Sequence, residues 1–82
     1  MILINVAFAE TDHEYDFKAD EQAPIEQVIA EMITMIAEKE HYALDKKPGL
    51  FFLCNPENAQ ILSPETTLTV NGIQSGMTLL LV

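Results

Sequence analysis

The chain has 82 residues, 49% of them hydrophobic, and 13 acidic residues against 4 lysines and no arginine, for a net charge of −9. That much apolar content excludes a disordered chain, and the length allows one small core and little more. So few cations exclude nucleic acid and anionic lipid as natural partners, because both are held by neutralising phosphates.

Ile2, Ile4, Val6 and Phe8 alternate with Leu3, Asn5 and Ala7, the pattern of a strand with one buried face. Glu10-Thr11-Asp12-His13 is a polar break of hairpin-loop length. Glu14-Tyr15-Asp16-Phe17-Lys18 then alternates strictly, aromatics on one face and charges on the other. Together these segments predict an N-terminal hairpin. Asp20-Glu21-Gln22-Ala23-Pro24 punctuates the chain as a helix start does: proline loses no bond at that position, and acidic residues complement the helix dipole.

Ile25, Val28, Ile29, Met32, Ile33 and Ile36 follow the i, i+3, i+4, i+7 rule, with Gln27, Glu31, Thr34 and Glu38 on the opposite face. The spacing predicts an amphipathic helix fraying between Glu38 and Tyr42, and Pro48-Gly49 bars its continuation. Leu50 to Cys54 is an apolar run of strand length, closed by the turn residues Asn55-Pro56-Glu57-Asn58. Gln60-Ile61-Leu62 fits a very short strand, and Ser63-Pro64-Glu65-Thr66 has the composition of a helix start with room for little more than a turn. Asn71-Gly72 and Ser75-Gly76 mark tight turns before a final strand from Met77 to Val82. The order is ββαβββ. A helix with one apolar stripe needs a sheet to cover, so the expected class is α+β: one domain over residues 1–82, with a mixed sheet covered by one main helix.

That order, with a long helix after the first hairpin, is the order of ubiquitin. Ile73-Gln74, Thr78-Leu79 and Leu81-Val82 are similar to the end of ubiquitin with the same spacing, and Ile25-Glu26-Gln27-Val28 resembles the opening of its helix. Gln60-Ile61 and Thr67-Leu68 resemble its Gln-Leu and Thr-Leu pairs. The segments 42–49 and 55–59 are longer than, or different from, their ubiquitin counterparts. The resemblance implies the β-grasp, or ubiquitin-like, fold.

Tyr15-Asp16-Phe17-Lys18, Asp20 and Pro24-Ile25-Glu26-Gln27-Val28-Ile29 look more closely like the small bacterial YukD/EsaB proteins, accessory components of type VII (ESAT-6-like) secretion systems. That resemblance implies a non-catalytic adaptor with a protein partner, a secretion-system membrane component being one candidate, and no cofactor. Ubiquitin and the sulfur carriers ThiS and MoaD act through a C-terminal Gly-Gly, which threads a channel where a side chain would clash. Here the last residues read Leu79-Leu80-Leu81-Val82, so with Val82 as the native terminus conjugation and sulfur carriage are not expected. A truncated terminus would reopen the carrier reading.

Other chemistry is weakly represented. His13 and His41 lack the company of converging ligands at metal-site spacing, and are read as lying in or beside the hairpin loop and near the helix end. Cys54, the single cysteine, allows no internal disulfide, fits a reducing compartment, and is read as a buried or edge-strand residue because no basic neighbour lowers its pKa. Asp12/Glu14 and Glu38/Glu40 are read as solvated pairs, Met32 as core and Met35 as lying at the flank of the stripe. Three glycines form no phosphate loop, and no catalytic residue is assigned.

The N-terminus has no basic leader or cleavage site, and no run approaches the ~20 apolar residues of a membrane span, so no direct membrane insertion and a cytoplasmic location are expected. The informative feature is the outer face of the sheet. The resemblance to ubiquitin implies that Leu79 and Leu81 point at the helix; Leu80 and Val82 then point outward, beside either Leu50 and Phe52 or Phe51 and Leu53. The expected protein-binding surface is Leu80, Val82, Phe51 and Leu53. An exposed apolar patch on a small protein marks a binding site, and weak homo-oligomerisation through it, or cover from Met1, Leu3 or the 42–49 loop, is the rival reading.

Overall fold

The computed structural model describes residues 1–41 and 50–82. The alternating N-terminal segments form β1 (Ile2–Phe8) and β2 (His13–Ala19), paired antiparallel from Ile2↔Ala19 to Phe8↔His13. Asp12 closes the hairpin at φ 60, in the left-handed region that aspartate tolerates better than most residues, and its N–H donates to the Phe8 carbonyl at 2.9 Å. β2 begins one residue earlier than the alternation indicates, so His13 is its first residue, directly beside the hairpin loop.

The apolar stripe becomes α1 (Ile25–Glu40), with Ile25, Val28, Ile29, Met32, Ile33 and Ile36 all buried. Pro24 caps it with no side-chain hydrogen bond. The orphan N–H groups of the first turn go instead to a distant segment: Ile25 donates to the Thr66 carbonyl at 2.8 Å and Glu26 to Pro64 at 3.0 Å. Ser63-Pro64-Glu65-Thr66 therefore starts no helix of its own. It is a turn whose carbonyls cap α1. His41 ends the helix at φ 58, and its N–H returns to the Ala37 carbonyl. The expectations for Pro48-Gly49 and the 42–49 loop lie outside the described residues.

The remaining strands are β3 (Leu53–Asn55), β4 (Gln60–Ile61) and β5 (Thr78–Leu81). They complete one sheet in the order β2-β1-β5-β3-β4, in which β5 runs parallel to β1 and the other pairs are antiparallel. β5 thus sits in the middle of the sheet, and the last residues of the sequence are hydrogen-bonded on both sides. Gly76 at φ 91 makes the turn into β5, and its N–H donates to the Leu3 carbonyl at 2.9 Å. With α1 across it, this is the β-grasp fold, ubiquitin-like and α+β.

Alternation decides which residues meet the helix. Ile4, Val6 and Phe8 from β1, Phe17 and Ala19 from β2, Leu79 and Leu81 from β5, and Leu53 from β3 are buried with the α1 stripe in a single core. Each large aliphatic side chain so buried contributes on the order of 2 kcal/mol. Met32 is fully buried, and Met35 packs partly against the core from the flank of the stripe.

Candidate protein-binding face

The strand registers fix the outer face residue by residue. One row crosses the whole sheet: Glu14 beside Ala7, Ala7 beside Leu80, Leu80 beside Cys54, and Cys54 beside Ile61. Phe52 and Val82 form the next pair toward the end of β5, exchanging both backbone hydrogen bonds at 2.8 and 2.9 Å. On the other side of the row, Asp16, Asn5 and Thr78 are neighbours in the same sense. Phe52 is 47% exposed and Ile61 58%, while Ala7, Cys54, Leu80 and Val82 are half-buried.

This arrangement corrects part of the expected surface. Leu80 and Val82 do lie on the outer face. Phe51 and Leu53 do not: they are 4% and 0% exposed. The reason is register. Leu53 pairs with Leu81, whose side chain is already committed to the core, so side-chain parity sends Phe51 inward with Leu53 and turns Phe52 outward. Phe51 then packs on Phe8, with ring centroids 5.8 Å apart. The outward pair is Leu50, 58% exposed, and Phe52, the alternative that alternation had left open.

Ile61, on the outermost strand, is the residue that sequence reasoning missed. A two-residue strand carries no periodicity of its own, and only its pairing with Cys54 shows which way Ile61 faces. Cys54 is half-buried on an interior strand, not on an edge as one reading had it. A cavity of ≈ 290 Å³ abuts the face at Val82 and is also lined by Phe8, Ala9, Glu10 and Phe51.

The charges on this face are unevenly placed. Glu14 and Asp16 project from β2, one strand away from β5 across β1, whereas Lys18, in register with Leu3, lies toward the far end of β2. The other described lysine, Lys39, belongs to the last turn of α1. The outer face is therefore apolar over β5, β3 and β4, and acidic along one flank.

A second polar cluster lies on the opposite side of the sheet. His13 and Tyr15 of β2 both reach Glu40 at the end of α1: His13 Nδ1 donates to Glu40 Oε1 at 2.7 Å, and the Tyr15 hydroxyl donates to the same oxygen. The Tyr15 hydrogen bond, and after it that of His13, hold the Glu40 carboxyl below its usual value. Glu40 is thus half-buried and engaged, whereas Glu38 is exposed as expected. The cluster fastens the hairpin to the helix end. Glu21 is likewise lowered, chiefly by its hydrogen bond with the N-terminal amine at 2.9 Å.

Among the described residues no group of three or more His, Cys, Asp or Glu side chains is arranged to hold a metal ion. No helix among them is long and apolar enough to cross a membrane. The family model described as WXG100 protein secretion system (Wss), protein YukD, matches residues 3–81. No curated protein matches the chain.

Proposed function

Because the chain belongs to the YukD family, the ubiquitin-like proteins associated with type VII (WXG100) secretion, we propose that it is a non-catalytic accessory that docks a protein component of that secretion system through the outer face of its sheet. The observation that carries this reading is the apolar row Ala7–Leu80–Cys54–Ile61, extended by Phe52 and Val82, on the face that α1 does not cover. Packing within the chain needs no such side chains there. The strands already bury Leu79, Leu81 and Leu53 on the other face, and solvated outer positions are ordinarily polar. Water is displaced from Phe52 and Ile61 only when something else covers them.

The work expected of the protein in the cytoplasm is recognition, with export carried out by its partners. The adaptor reading is tested by export of WXG100 proteins from a strain carrying Phe52→Glu or Ile61→Glu in place of its own copy. Each variant is expected to fold, because substitution of an exposed residue usually shifts stability by no more than about 0.5 kcal/mol, and to lose export. Normal export from both folded variants would refute docking through this face.

A further inference from the structure

We propose that the segment received by the outer face is a basic amphipathic helix of the protein partner, its apolar stripe on β5, β3 and β4 and its Lys/Arg flank over Glu14 and Asp16 of β2. This rests on the docking reading above and names the chemistry of its occupant.

Shape supports a helix. The row from Glu14 to Ile61 spans four inter-strand steps of ~4.8 Å, about 19 Å in all. A helix about 10 Å across, side chains included, covers two or three strands and leaves the remaining width for its flanking side chains. The apolar part of the face has that extent: Leu80 and Val82 on β5, Phe52 and Cys54 at β3, Ile61 on β4. Strand addition is poorly served at the apolar end, where the sheet edge is the two-residue β4 and offers almost no ladder.

Charge supports a cationic occupant. Glu14 shares the row of Ala7 and Leu80, and Asp16 the row of Asn5 and Thr78, so both carboxylates lie one strand, β1, away from β5, within reach of a long basic side chain; Lys18 lies two residues beyond Asp16, in register with Leu3. Long basic side chains lay their alkyl stems on apolar surface while placing the charge at its margin. The net charge of −9 steers a basic segment toward the protein at low salt. The same charge disfavours the alternatives. A second copy brought face to face would set −9 against −9, and an anionic lipid surface would be repelled.

The test is fluorescence anisotropy with three dye-labelled peptides: a Leu/Lys amphipathic helix, its Leu/Glu counterpart, and the Leu/Lys composition scrambled to remove the apolar stripe. The wild-type protein is expected to bind the first and neither of the others. Phe52→Glu with Ile61→Glu, and Glu14→Lys with Asp16→Lys, are each expected to weaken binding by about tenfold or more. Glu26→Lys with Glu31→Lys changes the net charge equally but lies on the exposed face of α1, and it is expected to weaken binding by no more than about threefold. Equal losses from the two charge-reversed pairs, or equal binding of the scrambled or Leu/Glu peptide, would overturn the proposal. If no peptide binds while Phe52→Glu still abolishes export, the helix falls and docking stands. If both Phe52→Glu and Ile61→Glu export normally, the two fall together.

Discussion

Ala59 holds φ 56, the left-handed region where a Cβ crowds the following carbonyl. It sits in the turn from β3 to β4, where the Gln60 N–H donates to Asn58 Oδ1 at 3.1 Å and the Glu57 N–H to Asn55 Oδ1 at the same distance. Ala59→Gly removes the crowding at some cost in unfolded-chain entropy, so the expected gain is about 0.5–1 kcal/mol, read as a rise in the thermal midpoint. A lowered midpoint would mean that the turn does not hold this conformation.

Glu40 shows what a single carboxylate does between two elements. Its pKa is depressed in the folded protein, so it binds fewer protons there than in the unfolded chain as pH falls. Its contribution is therefore present above the unfolded value near 4.5 and is lost as pH falls through the lower folded value. The stability difference between wild type and Glu40→Gln is expected to hold at neutral pH and to shrink below pH 4.5 in denaturant titrations. Parallel curves across that range would remove the carboxylate from the link. None of this was legible in the sequence. His13 and Tyr15 are adjacent on one strand face, but their meeting with Glu40, 25 to 27 residues away, depends on how the hairpin sits against the helix end.

Among the elements, α1 was the most legible, because its stripe repeats over the whole segment and every residue placed on the apolar side is buried. Met32 is fully enclosed. Met32→Ala is expected to lose about 2–5 kcal/mol by chemical denaturation, with a cavity left beneath the helix; a loss below about 1 kcal/mol would contradict its place in the core. The hairpin was legible for the same reason, its alternation being long enough to fix a face; β5, whose Leu79-Leu80-Leu81-Val82 does not alternate, took its facing from the resemblance to ubiquitin. The segment 50–54 was not. An unbroken apolar run has no parity of its own, and the inward choice of Phe51 and Leu53 is imposed by pairing with Leu81 and Val82. Ser63-Pro64-Glu65-Thr66 was misread for a related reason. Helix-start residues accept and donate in the same ways wherever a turn is needed, and here they supply carbonyls to the start of α1.

For the molecule as a whole, the sheet has two apolar faces, and among the described residues α1 covers one of them. Leu80 and Val82 were legible as outward-facing once the resemblance to ubiquitin put Leu79 and Leu81 toward the helix, because parity then leaves them no other side. Phe52 and Ile61 complete the patch only after the strands β5, β3 and β4 are assembled. The acidic composition gains a location at this scale: Glu14 and Asp16 lie along the flank of the patch. The most direct measurement is photo-crosslinking in the secreting cell, with a photoreactive residue placed singly at Phe52, Ile61, Gln27 or Thr34. The outer sheet face is expected to give adducts with a secretion-system component from positions 52 and 61, and the exposed side of α1 none from 27 and 34. Adducts from 27 and 34 with none from 52 and 61 would place the partner on the helix and contradict docking through the sheet.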